Sequence, residues 1–310
     1  MILCVCPNPS VDTYWWMEDV KNGAVNRIEK QEPFPGGKGV HVALNIAELN
    51  EEVNLLGIWA GYKGDWIREA CGKRKVPCFG INIDGENRSC ITVRSKNELI
   101  GNTEFLENGP MMCSSDYEQF LSVFEIFLHK CKMVVLSGSW PKGAPADPYG
   151  PFIDAAKKSN IPVWLDCSGE TLEQAILHHP FGIHVNKEEA NTLCRNDEKV
   201  KAYFLQYVQQ LALTSGKDGL FFYTKEKDVQ AVCTIEDVIS TVGCGDALLA
   251  GIAVASVRNY PLTEIAKLGT ACGSANCVNS DLGMIKLHDV ERLICEVILF
   301  DQPVLKETLL

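Results

Sequence analysis

The residues Ser240-Thr241-Val242-Gly243-Cys244-Gly245-Asp246 run from a glycine-rich turn into an apolar stretch that begins Ala247-Leu248-Leu249-Ala250. At a helix start the first backbone N–H groups have no partner inside the helix, and the helix dipole adds positive potential there. The amides of Gly243, Cys244 and Gly245 are therefore expected to converge into an anion hole. Asp246, in the first turn beside that hole, can reach a substrate hydroxyl. Phosphoryl transfer needs little else: positioned oxygens, charge stabilisation and a base to orient the nucleophile. The same residues fit equally well a plain helix start in which Asp246 complements the dipole.

Three further segments are ambiguous alone. Pro35-Gly36-Gly37-Lys38-Gly39-Val40-His41 leads into a second helix, with glycines that permit close backbone approach and a lysine that supplies a cation. It lacks the longer glycine spacing and the final Gly-Lys-Ser/Thr of a Walker A loop. Asn186-Lys187-Glu188-Glu189 follows a strand and also fits a helix capping box. Thr214-Ser215-Gly216-Lys217-Asp218-Gly219 fits a hairpin loop as well as a nucleotide turn.

These segments are positioned by alternating strand-like and helix-like runs. Ile2–Cys6, Val53–Trp59, Met133–Leu136 and Val163–Leu165 read as strands, and a further strand ends at Val185. Gly39–Leu49, Asp65–Lys75, Ser115–His129 and Lys187–Cys194 read as helices. The order implies an α/β fold with a mostly parallel sheet flanked by helices. Asp12–Phe34 and Arg88–Phe105 break the pattern, as hairpin material for a small β lid inserted near the N-terminus. No composition shift marks a linker, so one domain over 1–310 is expected, with lid strands drawn from about 12–34 and 88–106.

A net charge of −11 argues against a nucleic-acid surface. The N-terminus has no basic region before Pro7, and no run approaches the roughly 20 apolar residues of a membrane span. A cytoplasmic protein with no membrane or nucleic-acid partner is expected. The 14 cysteines lack paired C-x-x-C spacing and many lie in apolar runs, which favours reduced, buried thiols.

The four segments in this order, with Asp12 after Cys6-Pro7-Asn8-Pro9-Ser10-Val11, resemble the ribokinase/PfkB carbohydrate-kinase family from Ile2 to about Val278. The resemblance implies a ribokinase-like fold, ATP and Mg²⁺, and a flap that closes over the sugar. It makes Asp246 the catalytic base and the amides of Gly243, Cys244 and Gly245 the phosphoryl-stabilising hole. Asp12 should bind sugar hydroxyls, with Gly36, Gly37 and Lys38 lining the sugar pocket. Asn186 and Glu189 should organise the Mg²⁺–triphosphate, Glu189 acting on the metal through water. Thr214, Gly216 and Gly219 should shape the nucleotide turn, and Asn276 should reach the adenine side.

Within the family the chain looks most like the 1-phosphofructokinase and tagatose-6-phosphate kinase branch. Arg88 sits where that branch holds a phosphate, Ser139 in Ser137-Gly138-Ser139-Trp140-Pro141 lies near it, and Arg27 is a third member. A guanidinium fork with a hydroxyl suits a phosphate and is wasted on a neutral sugar. His41 replaces an asparagine that contacts the sugar in many members, with Asn45 one turn on as a substitute. Trp15-Trp16 would narrow the pocket, and Cys244, at a helix N-terminus, would have a lowered pKa. The expected reaction is transfer from ATP to a ketohexose monophosphate (tagatose-6-phosphate, fructose-1-phosphate or fructose-6-phosphate), with a homodimer formed through the lid. The alternatives are a kinase of an unphosphorylated sugar or nucleoside, and an inactive sugar-phosphate sensor.

Overall fold

The computed structural model describes residues 1–95, 97, 100, 103–194 and 199–300. The chain opens with β1 (Ile2–Cys6), makes an excursion through β2 (Ser10–Trp16) and β3 (Lys30–Gly36), and returns by α1 (Lys38–Glu48) to β4 (Val53–Trp59). Helix α2 (Gly61–Lys73) and β5 (Cys78–Asn82) precede a second excursion, β6 (Arg88–Arg94) and β7 (Glu104–Leu106). Helices and strands then alternate: α3 (Ser114–Leu128), β8 (Met133–Ser137), α4 (Gly150–Lys158), β9 (Val163–Asp166), α5 (Gly169–Ala175), β10 (Gly182–Asn186) and α6 (Lys187–Cys194). After α7 (Val200–Phe204) come β11 (Gln210–Thr214), β12 (Leu220–Tyr223) and β13 (Asp228–Val232). The helices α8 (Cys244–Val257), α9 (Leu262–Cys277) and α10 (Leu287–Leu293), and then β14 (Ile298–Phe300), complete the described chain.

The main sheet has ten strands in the order β14-β13-β12-β11-β10-β9-β8-β1-β4-β5. Pairing is parallel from β5 to β11 and antiparallel from β11 to β14. Alternation along the strands sorts side chains onto two faces. Ile2, Cys4 and Cys6 of β1 join a core with α1, α8 and α9. Leu3 and Val5 join the other core, with Phe120 and Phe124 of α3 and Phe152 of α4. Both faces are covered, so these strands are near-continuous apolar runs. All 14 cysteines are free thiols, seven of them buried.

The elements read from periodicity are present. One boundary moves: α2 begins at Gly61, where the Glu86 carboxylate accepts from the amides of Tyr62 and Lys63, both at 3.2 Å. That cap comes from a distant part of the chain, so nothing local to the helix announced it.

The two excursions form one small sheet, β3-β2-β6-β7. Its outer pairs are antiparallel hairpins, and the parallel pairing of β2 with β6 joins them. Ser10 lies opposite Arg88 and Asp12 opposite Cys90 in that register. The small sheet is fastened to the main body near the glycine-rich turn. Tyr14 Oη donates to Ser240 Oγ at 3.2 Å, and Arg94 Nη2 donates to the Ile239 carbonyl at 2.7 Å.

Connections run outward from β1 in both directions, through β4 to β5 and later through β8 to β14. The switch point therefore lies between β1 and β8, where open α/β sheets place ligands beyond the strand ends. The residues after Cys6 and Ser137 are there.

Candidate active site

A cavity of about 1250 Å³ occupies this position, roofed by the small sheet. Asp12, Gly37, Lys38, His41, Arg88 and Ser139 line one end. Gly243, Cys244, Gly245 and Asp246 line its middle, and Asn186, Glu189, Thr214, Gly216 and Gly219 line the rest. Segments far apart in sequence thus meet because each ends a strand or starts a helix on the same edge of the sheet.

Gly243 caps α8 with φ 82°, and a Cβ there would overlap Gly283, so only glycine fits. Among the described residues, the amides of Gly243, Gly245 and Asp246 have no protein acceptor, which leaves them for a ligand. The Cys244 amide departs from expectation: it donates to the Thr241 carbonyl at 3.3 Å, tightening the turn instead of joining the hole. Asp246 is 6% exposed, in the first turn, with its carboxylate at the cavity wall.

Asp12 is buried at the base of the lid, and Ser10 Oγ donates to its Oδ1 at 2.5 Å. Gly36 does not line the cavity; a Cβ there would overlap the Asp12 carboxylate, so its part is to make room for that group. Between Asp12 and Asp246 stands His41, its Nδ1 2.9 Å from Asp246 Oδ2 and its Nε2 3.4 Å from Asp12 Oδ2. Burial opposes charge on the ring, but the two carboxylates outweigh it and push the His41 pKa up to about 10. Burial likewise works against the Asp12 carboxylate, and His41 more than offsets it, holding Asp12 below its usual value. Asn45 cannot stand in for a sugar-contacting asparagine: its amide donates to the Gly283 carbonyl and accepts from the Ile285 amide.

Arg88 donates through Nε to the Asn8 carbonyl at 3.1 Å. Its terminal nitrogens have no acceptor among the described residues, and the residue lines the cavity. Ser139 lines the same end, just beyond β8. Arg27, expected beside them, lies exposed in the β2–β3 connection and outside the cavity of this chain. Trp15 and Trp16 stay out of the cavity as well; Trp16 turns its Nε1 to Glu32.

Asn186 and Glu189 form the reciprocal capping box at the start of α6, each side chain accepting from the other's amide at 2.9 Å. Both also line the cavity, and the box uses only Oε2 of Glu189. Asn276 is 1% exposed and does not line the cavity. It donates to the Val242 carbonyl at 2.8 Å and to Cys244 Sγ at 3.2 Å, so it braces the glycine-rich turn instead of reaching for a base. Cys244 is also corrected: its thiol lies 3.2 Å from Cys277 Sγ, and that contact, with burial, pushes it up, not down.

Residues 10–284 match the pfkB family carbohydrate kinases. The chain belongs to that family. It is a phosphotransferase acting on a sugar hydroxyl, on the ribokinase-like fold. It is similar over 97% of its length, at 25% identity and TM-score 0.82, to 98% of a proposed phosphofructokinase from Staphylococcus aureus. Phosphofructokinase-2 from Escherichia coli, in complex with fructose-6-phosphate, matches 95% of the chain and 98% of its own at 21% identity and TM-score 0.84. Ribokinase from Arabidopsis thaliana, complexed with ribose and ATP, matches 94% and 98% at 20% identity and TM-score 0.74.

Sequence reasoning left unassigned one part of this PfkB kinase's site. Asp166, fully buried at the end of β9, accepts from Lys38 Nζ at 2.9 Å and from Ser137 Oγ at 3.2 Å, with His184 Nδ1 3.4 Å away. Burial alone would raise the Asp166 carboxyl; Lys38 and His184 instead hold it well below the carboxylate range. Asp166 in turn keeps Lys38 protonated against burial, with Asp246 and Glu189 adding to the effect. The available signal was a carboxylate at the C-terminal end of a buried strand. No helix among the described residues is long and apolar enough to cross a membrane.

Proposed function

We propose that this kinase transfers the γ-phosphoryl group of ATP to a hydroxyl of a ketohexose monophosphate, giving a bisphosphate. The observation that carries the sugar-phosphate reading is Arg88: a half-buried residue of the cavity lining whose terminal nitrogens have no protein acceptor among the described residues. Such a fork suits a phosphate dianion. With Ser139 it would hold the substrate's existing phosphate while the acceptor hydroxyl approaches Asp246. Asp12, fixed by Ser10, would accept from other sugar hydroxyls.

In this reading Asp246 takes the proton of the attacking hydroxyl. The amides of Gly243, Gly245 and Asp246 receive the charge that develops on the transferred group. Lys38, held by Asp166, adds a cation that cannot swing away. The turn at Thr214, Gly216 and Gly219 would seat the nucleotide. Among the described residues no cluster of three or more His, Cys, Asp or Glu is set to hold a metal. That suits Mg²⁺, which keeps several waters and is carried by substrate phosphates. The free Oε1 of Glu189 is the oxygen that would meet one of those waters. Bound there, the ion would supply charge neutralisation along the triphosphate. Exposed Trp16, Phe105 and Leu106 on the small sheet support pairing with a second copy through the lid.

The test is ADP release across tagatose-6-phosphate, fructose-1-phosphate, fructose-6-phosphate, free ketohexoses, ribose and nucleosides. One of the monophosphates should give the highest kcat/KM. Losing one member of a buried charge pair costs ~2–5 kcal/mol, or roughly 30-fold to several thousand-fold in affinity. Arg88→Ala should accordingly raise the sugar-phosphate KM steeply and leave the ATP KM nearly unchanged. Arg88→Lys should recover part of the loss. Equal sugar-phosphate KM values in wild type and Arg88→Ala would move the assignment to an unphosphorylated acceptor.

A further inference from the structure

His41 occupies a position that the reaction itself does not explain. It is 4% exposed, and its two ring nitrogens face two different carboxylates from two different elements, Asp12 on β2 and Asp246 on α8. We propose that His41 is a positioning residue, an imidazolium clamped between Asp12 and Asp246 that lets both carboxylates stay ionised in one pocket and fixes Asp246 with Oδ1 left for the acceptor hydroxyl. The inference rests on the reading of Asp246 as the base.

The geometry carries the argument. Nδ1 at 2.9 Å from Asp246 Oδ2 is a full hydrogen bond and fixes that oxygen toward α1. Nε2 is buried without a hydrogen-bond partner, and the nearest acceptor is Asp12 Oδ2 at 3.4 Å. Gly283 packs closely beside the ring, where a Cβ would stand 2.7 Å from three ring atoms, and the bond to Asp246 holds its orientation. Both nitrogens therefore face acceptors in one fixed orientation, and only the doubly protonated ring has a proton for each.

Charge makes the same demand. Two carboxylates that face one buried ring disfavour each other's ionisation, and a cation between them offsets that repulsion. A protonated Asp246 would be no base. The other charged groups near the trio do not replace the imidazolium. Arg88, on β6, acts on Asp12 from a distance, where Glu104, on β7, adds a negative charge, and Lys38, on α1, acts on Asp246 only through space while its ammonium is hydrogen-bonded to Asp166. The segment beside the ring brings uncharged Gly283 against it.

The experiment has two arms on the full-length enzyme. In the first, ¹⁵N-histidine NMR follows the six imidazoles from pH 6 to 10. The resonance that disappears in His41→Asn should keep the doubly protonated signature to at least pH 8.5, and Asp12→Asn should lower its midpoint by one pH unit or more. The Asp12→Asn arm assigns the resonance even where His41→Asn does not fold. In the second, kcat is followed against pH. His41→Asn should move the midpoint of the acid limb upward by about one pH unit, so that its deficit grows toward the acid end of the profile, approaching about tenfold there, and shrinks to within about threefold of wild type at pH 9. A purely structural role would give the same deficit at every pH. A neutral His41 ring at pH 7, or an acid limb unmoved by the substitution, would overturn the proposal. Asp246→Asn serves as the control: if it stays active, the reading of Asp246 as base fails, whereas the NMR arm still reports the charge on His41.

Discussion

Asp246→Asn keeps the volume of the side chain and the hydrogen bond to His41 while removing the capacity to take a proton. General-base contributions run to roughly 10²–10⁴-fold, so kcat should fall in that range with substrate binding little changed. Isothermal titration with sugar phosphate and stopped-flow turnover on the same preparation would separate the two quantities. A second residue-scale outcome follows from His41. Its pKa lies near 6.5 in an unfolded chain and about 10 in the folded one. Between those values the native state binds more protons than the unfolded state, so stability falls as pH rises. The contribution is complete below about pH 6.5 and lost through about pH 10. Melting temperature should therefore decline from pH 7 to 10 more steeply in wild type than in His41→Asn.

At the scale of elements, the capping box at the start of α6 and the proposed contact to magnesium-bound water use different oxygens of Glu189. Glu189→Gln keeps an acceptor for the Asn186 amide, whereas Glu189→Ala removes that half of the capping box, at a cost of about 0.5–1.5 kcal/mol for one hydrogen bond. The Ala variant should melt lower and the Gln variant should not. Both should lose activity, and both should need more Mg²⁺ for half-maximal rate. A Gln variant with wild-type magnesium dependence would confine Glu189 to the cap. Much of this level was legible in the sequence, because each signal is local. The glycine-rich turn, the helix it opens and the Asn-x-x-Glu box each occupy a few consecutive residues. What stayed hidden joins distant segments. Lys38 meets Asp166 and His41 meets Asp246 only after β1, β9 and α8 are set side by side. Asn276 was placed beside the nucleotide by resemblance, yet its amide points back into the turn. The direction of a side chain on a stretch of helix buried nearly all round, as α9 is from Leu268 to Asn276, is not written in its spacing.

For the molecule as a whole, the exposed apolar residues of the small sheet define an expected assembly. Phe105 is 53% exposed and Leu106 61%, on the outermost strand of that sheet, where an unpaired edge invites another chain. Light scattering after size exclusion should give the mass of a dimer, and Phe105→Glu should shift it toward a monomer without changing the far-ultraviolet circular dichroism. A monomeric wild type at micromolar concentration would rule this assembly out. The order of the main sheet has another consequence, for synthesis on the ribosome. β4 and β5 add beside β1 on one side, and β8 through β14 then add one after another on the other. Every strand of the main sheet after β1 thus emerges to find a neighbour already made, and the nascent chain can extend the sheet at its growing edge during translation. The cover for one face arrives late, since α8 and α9 follow β13. A ribosome paused at Val232 would leave Val135, Phe222 and Ala231, with the side of α1 that packs against α8, without their cover. That interval is when a chaperone would bind, and when an aggregate would start.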